Sequence, residues 1–158
     1  MLLCDYVTFN SKFVKNTWGC FSKFNLKASV VPTLSTLPPT QKPGGNRKGF
    51  VFISRWIPNK GADLLIEAYA KADIDYAAWP LIMMGDGPMR KDLEQKVKQH
   101  SIQGIQILGR VSENTKCEKI RKAKWIVVPP NTNEDMGLTP IEGRRLGTPV
   151  IASLDGGI

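Results

Sequence analysis

The chain has 158 residues and a formal net charge of +8, with 42% hydrophobic and 23% charged residues, which is ordinary for a soluble globular protein of one domain. No apolar run approaches the length that spans a bilayer. The sequence holds a single histidine, His100, so a histidine-rich zinc site is excluded.

Positive charge is concentrated in the leading segment. Residues 1–48 hold seven Lys or Arg and one acid, a net charge of +6, whereas residues 49–158 hold fifteen against thirteen, a net charge of +2. A second basic stretch lies later in the chain: Lys116, Lys119, Arg121, Lys122 and Lys124. For both stretches the simpler interpretation is a solvated surface, and the more specific one is contact with an anionic membrane.

The cysteines and the amino terminus indicate the compartment. The start, "MLLCDYVTFN", lacks a basic region followed by a long apolar stretch, so no signal peptide is evident. The three cysteines are odd in number and have no metal-ligand spacing, which indicates reduced thiols: Cys4, Cys20 and Cys117. We therefore expect a cytoplasmic protein, with peripheral membrane contact as an open alternative.

The chain changes character at residue 49. Residues 1–48 show no sustained hydrophobic period, and their clustered prolines, followed by "GGNRKG", are typical of an irregular connector. From residue 49 onward, short apolar runs alternate with stretches at helical spacing. Five strands are predicted: "FVFIS", "PLIMM", "IQIL", "WIVVP" and "PVIAS". Residues 49–158 are therefore predicted to form the folded domain.

Four predicted helices separate these strands. They cover "GADLLIEAYAKA", "PMRKDLEQKVKQH" with Pro88 in its first turn, "SENTKCEKIRKA" with Ser112 as N-cap, and "LTPIEGRRL", which Gly147 ends. The strands are continuously apolar, as strands buried on both faces are. The pattern predicts an α/β fold with a doubly wound, Rossmann-like parallel sheet. Because the chain stops just after a strand, we expect the domain to be incomplete there.

Two strand ends carry unusual chemistry. Arg55 and Lys60 follow the first predicted strand, in "SRWIPNKG". Glu134 and Glu142 follow the fourth, on either side of Gly137 in "NEDMGLTPIEGRRLGTPVIAS". Ligands of open α/β sheets bind at the carboxyl ends of strands, where the strand order reverses. If these two strands are neighbours, two cations, two carboxylates and a helix N-terminus meet in one crevice.

Such a crevice suits a diphosphate that joins two polyols. Gly137 lets the backbone approach a ligand, and the amides of Leu138 and Thr139 open a helix whose amino end favours an anion. Arg55 and Lys60 add charge for phosphate oxygens. Because a carboxylate accepts hydrogen bonds from a vicinal diol, two carboxylates beside a diphosphate suggest a nucleoside diphosphate sugar. No metal is expected, since the cations and amides already meet the phosphate charge.

Each feature also has a simpler interpretation. Glu142 can complement the helix dipole, Glu134 can be an exposed loop acid, and the two cations can be ordinary surface charges. "GDGP" at residues 85–88 lacks the second half of a dinucleotide fingerprint and is interpreted as a turn. Asp73 and Asp75 lie away from the strand ends and are interpreted as a solvated turn rather than a metal site.

Residues 49–158 resemble the C-terminal half of a group 1, family 4-like retaining glycosyltransferase of GT-B architecture. The matching stretches are "SRWIPNKGADLLIEAYA", "GDGP", "ILGRVS" and "NEDMGLTPIEGRRLGTPVIAS". The resemblance implies that Arg55 and Lys60 hold the diphosphate of a UDP- or GDP-sugar donor. It implies that Glu134 contacts the transferred sugar, which makes it our candidate catalytic residue, and that Glu142 contacts the ribose.

The same resemblance implies roles for the remaining residues of the donor site. Gly137, Leu138 and Thr139 are expected to offer backbone amides to the diphosphate. Arg110 and Val111, just past the third strand, are expected beside the nucleobase. The substrate is then a nucleotide sugar, with no cofactor and no metal, and the acceptor is a glycan, a lipid or another molecule.

Residues 1–48 are similar to the tail of the family's N-terminal domain and the interdomain connector. We therefore expect most of the acceptor-binding domain and the closing strand and helices to be absent, which leaves the fold incomplete at both ends. One departure is local, because Arg144 and Arg145 replace the small and apolar residues usual after the second glutamate. The isolated chain is expected to be a donor-binding half that transfers no sugar.

Three alternatives stay open. The first is a nucleotide-sugar-binding fragment without catalysis. The second is a glycoside hydrolase, which also uses paired carboxylates but needs no cations for a diphosphate. The third is a nucleic-acid-binding module, which rests only on the basic leading segment; no nucleic-acid partner is expected.

Overall fold

The computed structural model describes residues 6–19, 27–35, 37 and 45–158. The leading part forms strand β1 (Val7–Phe9), helix α1 (Lys12–Trp18) and strand β2 (Ala28–Val30), and the two strands pair in parallel. Cys4, Cys20 and the prolines at 38, 39 and 43 lie outside the described residues. Cys117 is buried with a free thiol.

Helix α1 shows why residues 1–48 lack a period. It has seven residues, none of them buried, so it carries no apolar stripe from which a helix is predicted. Its start is set locally by Ser11, whose side chain accepts a hydrogen bond from the backbone N–H of Val14 at 3.1 Å. The expectation of an irregular segment is therefore wrong for this stretch.

From residue 50 onward, strands and helices alternate as predicted. The strands are β3 (Phe50–Arg55), β4 (Leu81–Asp86), β5 (Ile105–Gly109), β6 (Trp125–Val128) and β7 (Val150–Ala152). The helices are α2 (Ala62–Lys71), α3 (Arg90–Gln99), α4 (Glu113–Lys122) and α5 (Leu138–Arg145). All five strands are parallel, in the order β5-β4-β3-β6-β7. The predicted α/β fold with a Rossmann-like parallel sheet is confirmed.

Apolar cores lie on both faces of this sheet. Side chains alternate along a strand, so Phe52 of β3 joins a core with α2 and α3, whereas its neighbour Val51 joins a core with α4. In β4, Met83 and Met84 divide in the same way. Burial on both faces is the physical reason why the strand sequences are apolar without interruption.

Two of the predicted helix ends agree with the structure. Ser112 caps α4 by accepting a hydrogen bond from the N–H of Thr115, and Gly147, with φ of +70°, follows the last turn of α5. Helix α5 packs through Gly143, since a Cβ there would lie 2.6 Å from the side chain of Ile126. The unusual arginines of α5 are exposed and leave this packing intact: Arg144 and Arg145.

Helix α3 begins at Arg90, so Pro88 precedes the first turn instead of lying within it. Across the described ranges we find no helix with both the length and the apolarity that crossing a membrane requires.

Candidate functional site

Strand order reverses between β3 and β6, which pair side by side at the centre of the sheet. Their carboxyl ends therefore open a crevice of the kind predicted. The loops beyond them touch, because the N–H of Asn131 donates to the carbonyl of Asn59 at 3.2 Å. Gly61, with φ of +68°, allows this approach, since a Cβ there would lie 1.9 Å from the carbonyl oxygen of Pro129.

A cavity of about 370 Å³ occupies this crevice. Six of the predicted site residues line it: Arg55, Lys60, Glu134, Gly137, Leu138 and Thr139. Three others, Arg110, Val111 and Glu142, are not among its lining residues. The structure therefore brings together the cations, one carboxylate and the helix N-terminus.

The two cations enter the cavity in different ways. Arg55 ends β3 and is exposed, so its guanidinium is available to a ligand from solvent. Lys60 ends a short 3-10 helix, Pro58–Lys60, and its ammonium lies 2.5 Å from Oε2 of Glu134. Both side chains of this pair are shielded, with 17% and 12% of their surface exposed. A lysine has three donors, so Lys60 can hold this carboxylate and still donate to a phosphate oxygen.

The backbone of Glu134 is fixed by residues near the end of the chain. Its N–H donates to Oδ2 of Asp155 at 2.9 Å, and its carbonyl accepts from the N–H of Gly157 at 2.7 Å. Gly156, with φ of +59°, permits this contact, because a Cβ there would lie 2.0 Å from the carbonyl oxygen of Glu134. Sequence reasoning missed this support, because the contact joins residues 21 positions apart.

The amino end of α5 faces the cavity without a side-chain cap. Gly137 has φ of +71° and turns the chain into the helix, and Pro140 has no N–H of its own. The amides of Leu138 and Thr139 have no carbonyl within the helix to bind, as at every helix start. The Thr139 hydroxyl donates to the carbonyl of Ile53 in β3 at 3.4 Å, which ties this end to the sheet. The arrangement suits an anion.

The leading segment contributes a wall that sequence reasoning also missed. Asn10 and Thr33 line the cavity, and Oδ1 of Asn10 is buried without a hydrogen-bond partner among the described residues. Ser11 holds this wall in place, because its hydroxyl donates to the carbonyl of Asp135 at 2.5 Å. An amide oxygen accepts hydrogen bonds, so Asn10 can receive one from a ligand hydroxyl.

Glu142 lies one helical turn beyond Leu138 in α5, and a lysine of α4 holds its carboxylate. The ammonium of Lys116 in α4 lies 3.1 Å from Oε1 of Glu142 and 2.9 Å from Oε1 of Glu113. Helix α4 follows the loop that starts with Arg110, which is exposed, and Val111, which packs against the core on the α4 face. The structure thus joins Glu142 to α4 through Lys116.

The other motifs of the sequence have structural roles. In "GDGP", Gly85 and Asp86 are the last residues of β4, and only the second half leads into a turn, which packs against Trp56. The N–H of Trp56 donates to the carbonyl of Asp86, and a Cβ on Gly87 would lie 2.4 Å from the Trp56 carbonyl oxygen. Asp75 accepts from the N–H of Ala77 at 2.9 Å and so closes its own turn. Within residues 6–19, 27–35, 37 and 45–158, no group of three or more metal-ligating side chains occurs.

Comparison with known proteins decides the family. The family profile described as "Glycosyl transferases group 1" matches residues 36–158. The chain belongs to the group 1 glycosyl transferases. An uncharacterized glycosyltransferase of Methanocaldococcus jannaschii is 32% identical over 108 residues, which cover 68% of this chain and 29% of that protein.

A second relative of this group 1 chain is the gpi3 subunit of phosphatidylinositol N-acetylglucosaminyltransferase from Schizosaccharomyces pombe. It is 28% identical over 137 residues, which cover 84% of this chain and 30% of that protein. The chain therefore spans less than a third of the length of either curated relative.

Among solved structures, the chain is similar to Anabaena HepE in complex with UDP and glucose. The TM-score is 0.81 at 20% identity, and the match covers 98% of this chain and 45% of that one. This likeness concerns the fold, and it agrees with the resemblance that the motifs imply.

The geometry also bears on the glycoside hydrolase alternative. Such an enzyme needs one carboxyl group that gives a proton to the leaving group and a second that acts on the sugar. Here Glu134 holds the ammonium of Lys60, and Glu142 holds that of Lys116. Both acids are therefore engaged by lysines, and neither is a free pair partner of the other as a hydrolase requires.

Proposed function

We propose that the protein moves a sugar from a UDP- or GDP-sugar to an acceptor with retention of the anomeric configuration, and that this chain is the donor-binding half. The observation that carries the proposal is the 370 Å³ cavity in which Arg55, Lys60 and the amino end of α5 face one volume. Glu134 lies in the wall of the same volume.

The diphosphate occupies the positive part of this cavity. Arg55 and Lys60 donate charge-assisted hydrogen bonds to its oxygens, and the backbone amides of Gly137, Leu138 and Thr139 add neutral donors. During transfer the bond from the anomeric carbon to the diphosphate breaks, a bond to the acceptor oxygen forms, and the acceptor hydroxyl gives its proton to the leaving diphosphate oxygen. Negative charge then develops on the leaving diphosphate, and fixed donors that face it lower the barrier.

The transferred sugar lies on the side of Glu134. One oxygen of this carboxylate is bound to Lys60, so the other can accept hydrogen bonds from sugar hydroxyls. Because Lys60 also reaches the diphosphate in this proposal, it links the position of the sugar to that of the leaving group. Asn10, whose Oδ1 has no described partner, supplies an acceptor on the opposite wall.

The nucleoside extends toward α4. Glu142 is proposed to accept from the ribose hydroxyls, with Arg110 and Val111 beside the base. This assignment is supported by the position of Glu142 one turn beyond the diphosphate-facing amides, on the helix that begins at Leu138. HepE, which shares the fold, was determined with UDP and glucose.

The proposal also covers the metal requirement of the donor site and a contact surface for membranes. We propose that donor binding needs no metal, because cations and amides already face the diphosphate.

We also propose contact with an anionic membrane through a hollow of about 350 Å³ near the amino ends of β4 and β6, which Lys48, Lys119 and Lys122 line. Selective co-sedimentation with vesicles that contain phosphatidylserine, rather than neutral ones, is the expected sign of this contact.

Titration calorimetry of the 158-residue chain tests the proposal. UDP or GDP should bind, and the matching nucleoside monophosphate should bind more weakly, by roughly 1.5–3 kcal/mol for each charge-assisted bond lost. Addition of EDTA should leave the affinity unchanged. Equal affinity for mono- and diphosphates, or no binding of either diphosphate, would reject a diphosphate site; loss of binding in EDTA would reject the metal-free one.

A further inference from the structure

Lys116 joins α5 to α4, the helix toward which the proposed nucleoside extends. It belongs to α4, and its ammonium reaches Oε1 of Glu142 on α5 at 3.1 Å while it holds Oε1 of Glu113 on its own helix at 2.9 Å. The side chains of Lys116 and Glu142 are 17% and 19% exposed. One shielded cation therefore joins the helix on the base side of the site to the carboxylate on the ribose side.

This contact differs from the ordinary ion pairs of the same helix. Lys122 also belongs to α4, and it pairs with Glu118 one turn away at 2.6 Å, but its side chain is 70% exposed. The Lys116–Glu142 pair instead spans 26 residues of sequence and is tertiary. Burial lowers the pKa of Lys116, but the hydrogen bonds from its ammonium to Glu113 and Glu142 outweigh that and raise the pKa above its ordinary value. The ammonium therefore stays charged at neutral pH.

We propose that Lys116 is a positioning residue, which fixes the Glu142 carboxylate in the orientation that accepts the two ribose hydroxyls of the donor. This inference rests on the proposed function. The ammonium occupies Oε1, which leaves Oε2 and the remaining lone pair of Oε1 for the ribose diol. A glutamate held in this way has lost its rotamer freedom before the ligand arrives, so less entropy is lost when the diol binds.

The charge of Lys116 has a second consequence. A bare carboxylate near a diphosphate repels the ligand, and shielding from water strengthens that repulsion. Lys116 reduces the net charge of its cluster with Glu113 and Glu142 from −2 to −1, and its ammonium lies directly against the Glu142 carboxylate. The lysine thus allows a carboxylate for the ribose to stand close to an anionic ligand.

The test compares nucleotides with and without ribose hydroxyls. UDP and GDP are titrated into the 158-residue chain by calorimetry, and the tighter of the two is then compared with its 2′,3′-dideoxy analogue. The wild type should bind the ribonucleotide more tightly. In Lys116→Met the affinity for the ribonucleotide should fall about tenfold, whereas that for the dideoxy analogue should change by less than about twofold.

Two variants separate positioning from general charge and folding effects. Lys96→Met removes a lysine–glutamate pair of α3 and should leave both affinities unchanged. Lys116→Arg keeps the cation and should recover most of the ribonucleotide affinity. If Lys116→Met does not fold, Lys116→Gln, which keeps a polar side chain without the charge, takes its place, and the same selective loss of ribonucleotide affinity is expected.

The outcomes are distinguishable. An equal loss for the ribonucleotide and the dideoxy analogue, or no loss in either variant, overturns the positioning role while the diphosphate site stands. A wild type that binds both nucleotides equally overturns the ribose contact of Glu142 and the inference with it. A wild type that binds neither UDP nor GDP rejects the proposed function itself.

Discussion

Lys60 is the residue at which the two sides of the cavity meet. Its ammonium lies 2.5 Å from Oε2 of Glu134, and both side chains are largely shielded from water. Removal of either partner leaves a partly buried charge alone, which costs more than an exposed ion pair contributes. The pair therefore belongs to the architecture of the site before any ligand is present.

The first prediction concerns the cations. Replacement of both Arg55 and Lys60 by alanine should weaken UDP or GDP binding by about 2–4 kcal/mol, since two charge-assisted contacts are lost. Calorimetry measures the affinity, and circular dichroism confirms that the variant is folded. The matched control is the double change of Lys91 and Lys98 to alanine on the exposed face of α3. Wild-type affinity in a folded Arg55→Ala, Lys60→Ala chain would rule this site out.

The second prediction separates the two glutamates. Glu142→Gln should weaken binding of free UDP or GDP, because the ribose diol loses a charged acceptor. Glu134→Gln should spare the free nucleotide and weaken only the sugar-bearing donor. Titrations of each variant with UDP and with UDP-glucose, or with the guanosine pair, give the comparison. If both variants weaken free nucleotide to the same degree, the assignment of sugar and ribose is wrong.

At the scale of elements, the amino end of α5 depends on one glycine. Gly137 adopts φ of +71°, and a Cβ there would lie 2.9 Å from the side chain of Ile158. An alanine must either strain the left-handed backbone or displace that neighbour. Both responses move the amides of Leu138 and Thr139, on which the proposed diphosphate contact rests.

The third prediction uses a glycine pair. Gly137→Ala should lower the free energy of unfolding by roughly 1 kcal/mol and also weaken UDP or GDP binding. Gly45→Ala is the control, because Gly45 also has a positive φ, +93°, but a Cβ added there would have no atom within 4 Å. It should show the conformational cost without the loss of affinity. Equal binding by the two variants would argue against a role for this helix end.

The elements of the sheet could be predicted because their signals are local. Apolar runs mark β3 and β4, and Ser112 marks the start of α4 with its own side chain. Helix α1 could not be predicted from periodicity, since it buries no residue. In the site, Arg55 and Lys60 could likewise be predicted from a local signal, because both lie in the stretch that follows the predicted strand "FVFIS".

The remaining site contacts are tertiary. Asp155 binds the N–H of Glu134 across 21 residues, and Ser11 binds the carbonyl of Asp135 across 124 residues. The Lys116–Glu142 pair likewise depends on how α4 packs beside α5. No sequence period or spacing encodes such contacts, because they arise only when the chain returns to the same place.

At the scale of the molecule, the described residues build the 370 Å³ cavity between the larger sheet and the leading segment. Asn10 and Thr33 reach the cavity from that segment, whereas the cations, Glu134 and α5 come from the larger sheet. The sole histidine, His100, lines a separate hollow of about 730 Å³ between α2 and α3. The only histidine of the chain therefore lies outside the 370 Å³ cavity and does not act there as a general base.

The fourth prediction follows from this division. The 158-residue chain by itself should bind the donor and transfer no sugar, because transfer needs an acceptor held against the anomeric carbon. Orientation of two reactants supplies on the order of 7–11 kcal/mol of the barrier reduction. Release of UDP or GDP from the nucleotide sugar, measured with a broad acceptor mixture, should equal the rate without protein. Efficient turnover would show that this chain is more than a donor-binding half.

The central claim is that a nucleoside diphosphate binds between the carboxyl ends of β3 and β6, and amide chemical shifts test it most directly. In a titration of the isotope-labelled chain with UDP and with GDP, we predict the largest shifts at the amides of Gly137, Leu138 and Thr139. The amides around the larger hollow, at Tyr76 and Ile102, should stay unchanged. Shifts concentrated at that hollow, with the α5 amides unmoved, would contradict the account.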